Sequence, residues 1–309
     1  MLFLNHFRLA NAIFPRTFVA FCAMSMASIA QGHAQDSLYT LTQDAIPHDG
    51  VPEGIVEGPL IHRDTIYPGI SREYWIYVPR QYDSAKPAAL TVFLDGYQYL
   101  RDDYFVHARR VLDNLIYKKE IPVMIAIFVN PGHLDGGKSP DNKSWETTNR
   151  ATEYITNSDR FARLLTEELI PEVAQRYNLA KDASGHCIVG ASQGGAGAFI
   201  AAWSRPEYFG KVITHVGSFV SGPNIYPERV RELETAKPIR ISMQENAGDH
   251  RNDADPDGDW VIQNLRLYLA LREKHYDVQL VWGQGIHSLV YGGVVLPDQM
   301  RWIWRDYPK

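Results

Sequence analysis

The chain has 309 residues, 45% of them hydrophobic and 22% charged, with 31 Lys and Arg against 36 Asp and Glu for a net charge of −5. That length and apolar content suit one large core and require no second domain, and the acidic balance makes nucleic acid and anionic membranes poor partners. Two cysteines, Cys22 and Cys187, are too few for a disulfide framework, so stability has to come from the core.

In chain order, the first residues predict an export signal. No acidic residue occurs before Asp36, Arg8 and Arg16 give a positive start, and Thr17 to Ala30 is an apolar run rich in small residues. The run is shorter than the roughly 20 residues a membrane-spanning helix needs. Residues 1–34 are therefore expected to be cleaved, after Ala30 or Ala34, placing the product in the periplasm or outside the cell with no membrane attachment. Removing Arg8 and Arg16 leaves 29 basic against 36 acidic residues, a net charge of −7. Cys22 leaves with the signal, and Cys187, inside an apolar strand pattern, is expected to be a small core residue. Residues 35–53 are polar and without periodicity, which predicts a linker or poorly ordered arm, and residues 54–309 form the folded domain.

The domain opens with strand patterns over 55–61 and 72–79, separated by the Pro68-Gly69 turn, an expected antiparallel pair. Residues 88–94 are apolar without alternation, the mark of a strand covered on both faces, and end in Asp95-Gly96-Tyr97. A helix over 104–117, with Val106, Val111, Leu112 and Leu115 inward, and a strand over 122–129 complete a βαβ unit. Residues 130–148 are rich in Gly, Pro, Asp and Asn and are expected to wall a cleft, with Trp145 available to stack on a substrate ring or to cover the core. Arg150 and Glu153 are expected to pair with each other or to shape a loop, with a cleft-facing role left open. A helix capped by Asn157 or Ser158 runs to about Arg176 with Phe161, Leu164, Leu165, Leu169 and Ile170 on one stripe.

Residues 186–200 organise the rest. A short apolar run ends in Gly190-Ala191-Ser192-Gln193-Gly194, and a small-residue helical segment follows at once. A serine on a tight strand-to-helix turn needs neighbours without Cβ atoms, which Gly190 and Gly194 supply, so the motif predicts a nucleophile elbow with Ser192 exposed at its tip. The backbone N–H of Gln193, opening the helix, points the same way and is one expected oxyanion donor. The second is expected from the loop after the third strand, at the backbone N–H of Tyr97.

Strands follow at 212–216 and 238–243, then a loop from Gln244 to Trp260, a helix over 261–274 and a strand over 278–282. Alternation of this kind predicts a mainly parallel sheet. The acid that orients a catalytic histidine is expected on the loop, at Asp249, with Glu245 and Asp253 as alternatives. His287, on the glycine-rich stretch after the last strand, is the expected general base. Asp253-x-Asp255-x-Asp257-Gly258 copies the first half of a calcium loop, but its twelfth position is Asn264, where that loop needs a bidentate Glu, so a solvated acidic loop is the reading adopted. A closing helix is expected over 296–307.

These residues together resemble an esterase family of α/β hydrolases that includes enterochelin, feruloyl and acetylxylan esterases and, more distantly, mycolyltransferases. The resemblance spans about Gly54 to Tyr307 and is carried by Arg72-Glu73-Tyr74-Trp75-Ile76-Tyr77-Val78-Pro79, Phe93-Leu94-Asp95-Gly96, the elbow, Gly285-Ile286-His287-Ser288 and Leu296-Pro297-Asp298. It implies a single-domain α/β-hydrolase fold, mainly parallel with helices on both faces. It also implies Ser192 as nucleophile, His287 as base, Asp249 as acid and the Tyr97 and Gln193 amides as the oxyanion hole. Relatives usually have Gly-His where this chain has Ile286-His287, and Asp-Gly where it has Asn246-Ala247. The expected activity is hydrolysis of small acyl or aryl esters, on a small molecule or a carbohydrate, without metal or cofactor. The alternatives are a siderophore trilactone esterase, an acyltransferase, and a non-catalytic carbohydrate-binding protein of the same fold.

Overall fold

The computed structural model describes residues 39–135, 149–156, 158–220 and 226–309. The expected export signal, Trp145 with most of its loop, and Asn157 lie outside the described residues. One nine-stranded sheet holds β1 (Ile55–Arg63), β2 (Ile70–Val78), β3 (Ala89–Leu94), β4 (Met124–Val129), β5 (His133–Leu134), β6 (His186–Ala191), β7 (Lys211–His215), β8 (Arg240–Gly248) and β9 (Val278–Ile286). The order is β1-β2-β4-β3-β6-β7-β8-β9, with the short β5 pairing with β2. β1 to β2 and β2 to β4 are antiparallel, and the remaining run from β4 to β9 is parallel.

The continuous apolar runs of β3, β4 and β6 are buried at every position because helices cover both faces. Alternate side chains divide between two cores. Leu90, Val92, Leu94, Ile125, Ile127 and Ile188 meet Phe199 of the helix Gln193–Ser204 and Leu164, Leu165 and Leu169 of a helix over residues 160–174. Ala89, Phe93, Ala126, Phe128, Cys187 and Val189 face the helices Ala108–Tyr117 and Val290–Ile303. Burial pushes the Cys187 thiol up to about 12, leaving it an inert core group.

Several elements differ from the expected boundaries. β8 and β9 run on through Gln244-Glu245-Asn246 and Gly283-Gln284-Gly285, stretches whose polarity suggested loops. Two of their side-chain amides bond inside the sheet: Gln244 Nε2 donates to Asn246 Oδ1 at 3.0 Å and Asn246 Nδ2 to the Ile286 carbonyl at 2.7 Å. The helix expected from Tyr104 starts at Ala108, because His107 turns through a left-handed conformation with φ 49°. The closing helix begins at Val290, six residues earlier than expected, where Gly293 lets it lie directly on the Phe105 backbone. The polar segment 39–53 is tied to the domain rather than loose. Asn114 Nδ2 donates to the carbonyls of Asp44 and Ile46, and the Asp44 carboxylate pairs with Lys118 and Arg301.

Arg150 and Glu153 do not pair with each other. Glu153 accepts two hydrogen bonds from the fully buried Arg72, at 3.0 and 3.1 Å, and Arg72 also grips Asp64. Removing the cation would leave two buried carboxylates facing each other. Arg72→Met is therefore expected to cost about 3–5 kcal/mol, read as a lower midpoint of urea unfolding; an unchanged midpoint would refute the pairing as a source of stability.

Candidate active site

Ser192 sits at the turn between β6 and the helix Gln193–Ser204 with φ 56° and ψ −126°, a conformation strained for any L residue. The glycines around it are steric requirements. A Cβ at Gly190 would run into the carbonyl of Gly194, and one at Gly194 would stand 2.6 Å from Asp95 Oδ2. The Ser192 N–H donates to the His215 carbonyl at 2.9 Å, and its carbonyl accepts from Ser218 N at 2.9 Å, so backbone bonds on both sides hold the turn.

The parallel register of β8 and β9 sets Gly248 opposite Ile286, so the next residues of the two strands, Asp249 and His287, leave the sheet side by side. His287 Nδ1 lies 2.7 Å from Asp249 Oδ1, and His287 Nε2 lies 2.9 Å from Ser192 Oγ. With its Nδ1–H donating a hydrogen bond to the carboxylate, the neutral ring has at Nε2 a lone pair directed at the serine hydroxyl. Asp249 is buried, which by itself would raise its pKa, but the hydrogen bond and charge of His287, a hydrogen bond from Glu245 and the His250 N–H at 2.6 Å outweigh burial and hold it below the usual carboxylate value. The His287 ring is packed between His250, with centroids 4.5 Å apart, and the edge of Trp260, also at 4.5 Å.

Above the serine opens a cavity of about 470 Å³, lined by Gln98, Tyr104, Arg150, Ser192, Gln193, His287 and Leu289 among others. A larger hollow of about 900 Å³ lies at the opposite end of the parallel strands, among Ser184, Lys211, Arg240 and Asp277, and contains none of these groups. Chemistry selects the smaller one, at the carboxyl ends of the strands.

The Gln193 amide opens the helix beside Ser192, where the helix dipole favours negative charge. The Tyr97 amide differs from expectation: its N–H donates to Asn130 Oδ1 at 3.1 Å, and its ring packs on Trp75 at 5.4 Å. The cleft-facing role left open for Arg150 is the one observed, but its partners were not foreseen. Arg150 makes two bonds to Asp95, at 2.8 and 2.7 Å, and one to Gln193 Oε1 at 2.9 Å, joining the loop after β3 to the elbow. Nothing in the local sequence reports a partner 55 residues away.

The acidic loop uses its carboxylates locally. Asp255 accepts from Asp257 N at 3.0 Å, and Asp259 caps the helix Trp260–Glu273 through Ile262 N at 2.9 Å. Among the described residues two His and carboxylate groups are compact enough to hold a metal. One is Asp249, His250 and His287, where His287 is engaged by Ser192 and Asp249. The other is His62, Asp64 and Glu168, whose carboxylates already receive Arg72 and the amides of Thr65 and Ile66.

A mostly parallel sheet flanked by helices, with a strained serine at a strand-to-helix turn and a histidine beyond the last strand, is an α/β-hydrolase fold. Residues 67–306 match the model of the family described as "Putative esterase", and the chain belongs to that family. It is 26% identical over 152 residues to the iron(III) enterobactin esterase of Escherichia coli O6:H1 (strain CFT073), a match covering 48% of this chain and 33% of that protein. The crystal structure of an enterobactin esterase from Shigella flexneri in the presence of enterobactin superposes with a TM-score of 0.66 at 21% identity, covering 82% of this chain and 60% of the other. A ferulic acid esterase from Anaeromyces mucronatus in complex with ferulic acid gives 0.60 at 14% identity, covering 85% and 97%. The chain thus spans a third of the curated relative in the matched region and about 60% of the Shigella enzyme. At these identities the structural likeness is one of fold. No helix among the described residues is long and apolar enough to cross a membrane.

Proposed function

We propose that this chain is an exported serine hydrolase of carboxylic esters, acting through an acyl-enzyme on Ser192. The observation that carries the reading is the unbroken hydrogen-bond chain from Ser192 Oγ through His287 to Asp249, at 2.9 and 2.7 Å, opening into a cleft. His287 Nε2 takes the hydroxyl proton as Oγ attacks the ester carbonyl, and Asp249, remaining ionised, stabilises the imidazolium. The negative charge on the carbonyl oxygen is met by the Gln193 N–H and by the Tyr97 N–H, the latter exchanging Asn130 for the substrate. Collapse of the tetrahedral intermediate expels the alcohol, which receives its proton from His287. A water activated by the same imidazole then cleaves the acyl-enzyme. No step draws on a metal or cofactor. Residues 1–34 act as the export signal in this reading, and the product is periplasmic or secreted.

Small acyl or aryl esters are the proposed substrates, and charge supports that choice. Among the described residues the cation lining the cleft is Arg150, already neutralised by Asp95, so it offers little to an anionic catecholate. A trilactone siderophore is the second reading, favoured by the match to enterobactin esterase. A panel of p-nitrophenyl acetate and butyrate, methyl ferulate, acetylated xylan and a catecholate trilactone separates the two. The expected result is a higher kcat/KM on a simple acyl or aryl ester than on the trilactone. The reverse order assigns the siderophore branch, products of transfer to added glycerol exceeding hydrolysis assign an acyltransferase, and no turnover of any ester leaves the non-catalytic binding reading.

A further inference from the structure

Glu245 lies on β8, four residues before Asp249, and is completely shielded from solvent. Its Oε1 accepts the Asn246 N–H at 2.8 Å. Its Oε2 is buried and receives no donor, and the same is true of Asp249 Oδ2. The two carboxyl groups lie close enough for each to act on the other. Two ionised carboxylates in that position would direct lone pairs at each other inside the protein, whereas one proton between them satisfies both orphaned oxygens.

The partners decide where the proton resides. Asp249 Oδ1 accepts two donors, His287 Nδ1 and His250 N, and both favour the ionised form. Glu245 has one donor, from Asn246. We propose that Glu245 is a neutral carboxylic acid that donates its proton to Asp249 Oδ2, making it a positioning residue that holds the triad carboxylate in line with His287. The inference rests on the triad reading of Ser192, His287 and Asp249 and adds a fourth group to it.

The surroundings agree. Burial first, and then the negative charges of Asp249 and Asp259, push Glu245 well above the ordinary value of 4.5. Asp259, at the start of the helix Trp260–Glu273, is itself held by Arg251, and the residue opposite Glu245 on β9 is the uncharged Trp282. Acting through Asp249, the neutral acid fixes one oxygen of the carboxylate while the other engages the imidazole, and it brings no second negative charge beside the first.

The test compares Glu245→Gln and Glu245→Leu with wild type, following kcat and KM on a p-nitrophenyl ester and thermal unfolding between pH 5 and 9. The glutamine amide donates where the acid did and still accepts from Asn246, so Glu245→Gln is expected to keep kcat within about 3-fold, while Glu245→Leu, which lacks the donor, loses about 10- to 100-fold in kcat with little change in KM. Stability gives a reading that needs no turnover. A folded-state pKa raised above the unfolded value contributes stability that is fully present below 4.5 and is lost as pH rises towards the folded pKa. Wild type is therefore expected to lose thermal stability relative to Glu245→Gln across the neutral range. Equal pH slopes in the two proteins, or a Glu245→Gln as impaired as Glu245→Leu, would overturn the proposal. An inactive wild type whose slope still differs from that of Glu245→Gln would overturn the triad reading instead and leave the protonated glutamate standing.

Discussion

Ser192→Ala is expected to lower kcat on the best ester by about 10⁴- to 10⁶-fold and to abolish labelling by a fluorophosphonate probe. The size follows from the chemistry: without Oγ there is no acyl-enzyme, and what remains is binding together with the oxyanion amides, which act only on attack by water. The fold should survive the change. The Ser192 side chain bonds to His287, whereas the turn is held by the Ser192 N–H to the His215 carbonyl and by the Ser218 N–H to the Ser192 carbonyl, both backbone groups that alanine keeps. The left-handed backbone is strained equally for serine and alanine. Hydrolysis and probe labelling measured side by side with a thermal melt therefore isolate the nucleophile from the scaffold. Activity surviving in a folded Ser192→Ala would sink the serine mechanism, and a wild type that neither labels nor turns over would favour the binding reading.

Much of this could be read from the sequence because the physics behind it is local. A parallel strand buried on both faces has to be apolar throughout, so 88–94, 122–129 and 186–191 announced themselves, and the parallel sheet followed from their alternation with helices. Gly-x-Ser-x-Gly is legible because the turn leaves no room for Cβ atoms at Gly190 and Gly194. What stayed hidden depends on partners far away in sequence. Gln244, Glu245 and Asn246 look like loop residues until their hydrogen bonds within the sheet are known. Arg150 and Glu153, three apart, invited a local pair, yet β3 brings Asp95 to one and β2 brings Arg72 to the other. The Tyr97 amide could be placed just after β3, while the Asn130 side-chain oxygen that accepts its hydrogen comes from beyond the end of β4. Periodicity reports which face a residue presents and carries no information about the neighbour that face will meet.

That limit was sharpest for the acid of the proposed triad, where Glu245, Asp249 and Asp253 stood together as candidates, and substitution is expected to separate them widely. Asp249→Asn should lower kcat by about 10³- to 10⁴-fold with KM little changed, because an amide in place of the carboxylate cannot hold the Nδ1–H tautomer and stabilise the imidazolium at once. Asp253→Asn should leave kcat within about 2-fold, as expected of an exposed residue away from special contacts. The distinction has a structural cause in register: β8 ends opposite Ile286, so the residue one step past the strand, and not one five steps along the loop, meets His287. A double variant sharpens it. Residues of a triad act as a unit, so Ser192→Ala combined with Asp249→Asn should be hardly slower than Ser192→Ala alone. If the two losses multiplied instead, Asp249 would be contributing through stability or binding, and the general base would need another partner. Measured across wild type and the three variants, the shortfall from multiplication is the signature of a hydrogen-bond chain that runs from the carboxylate through the imidazole to the serine.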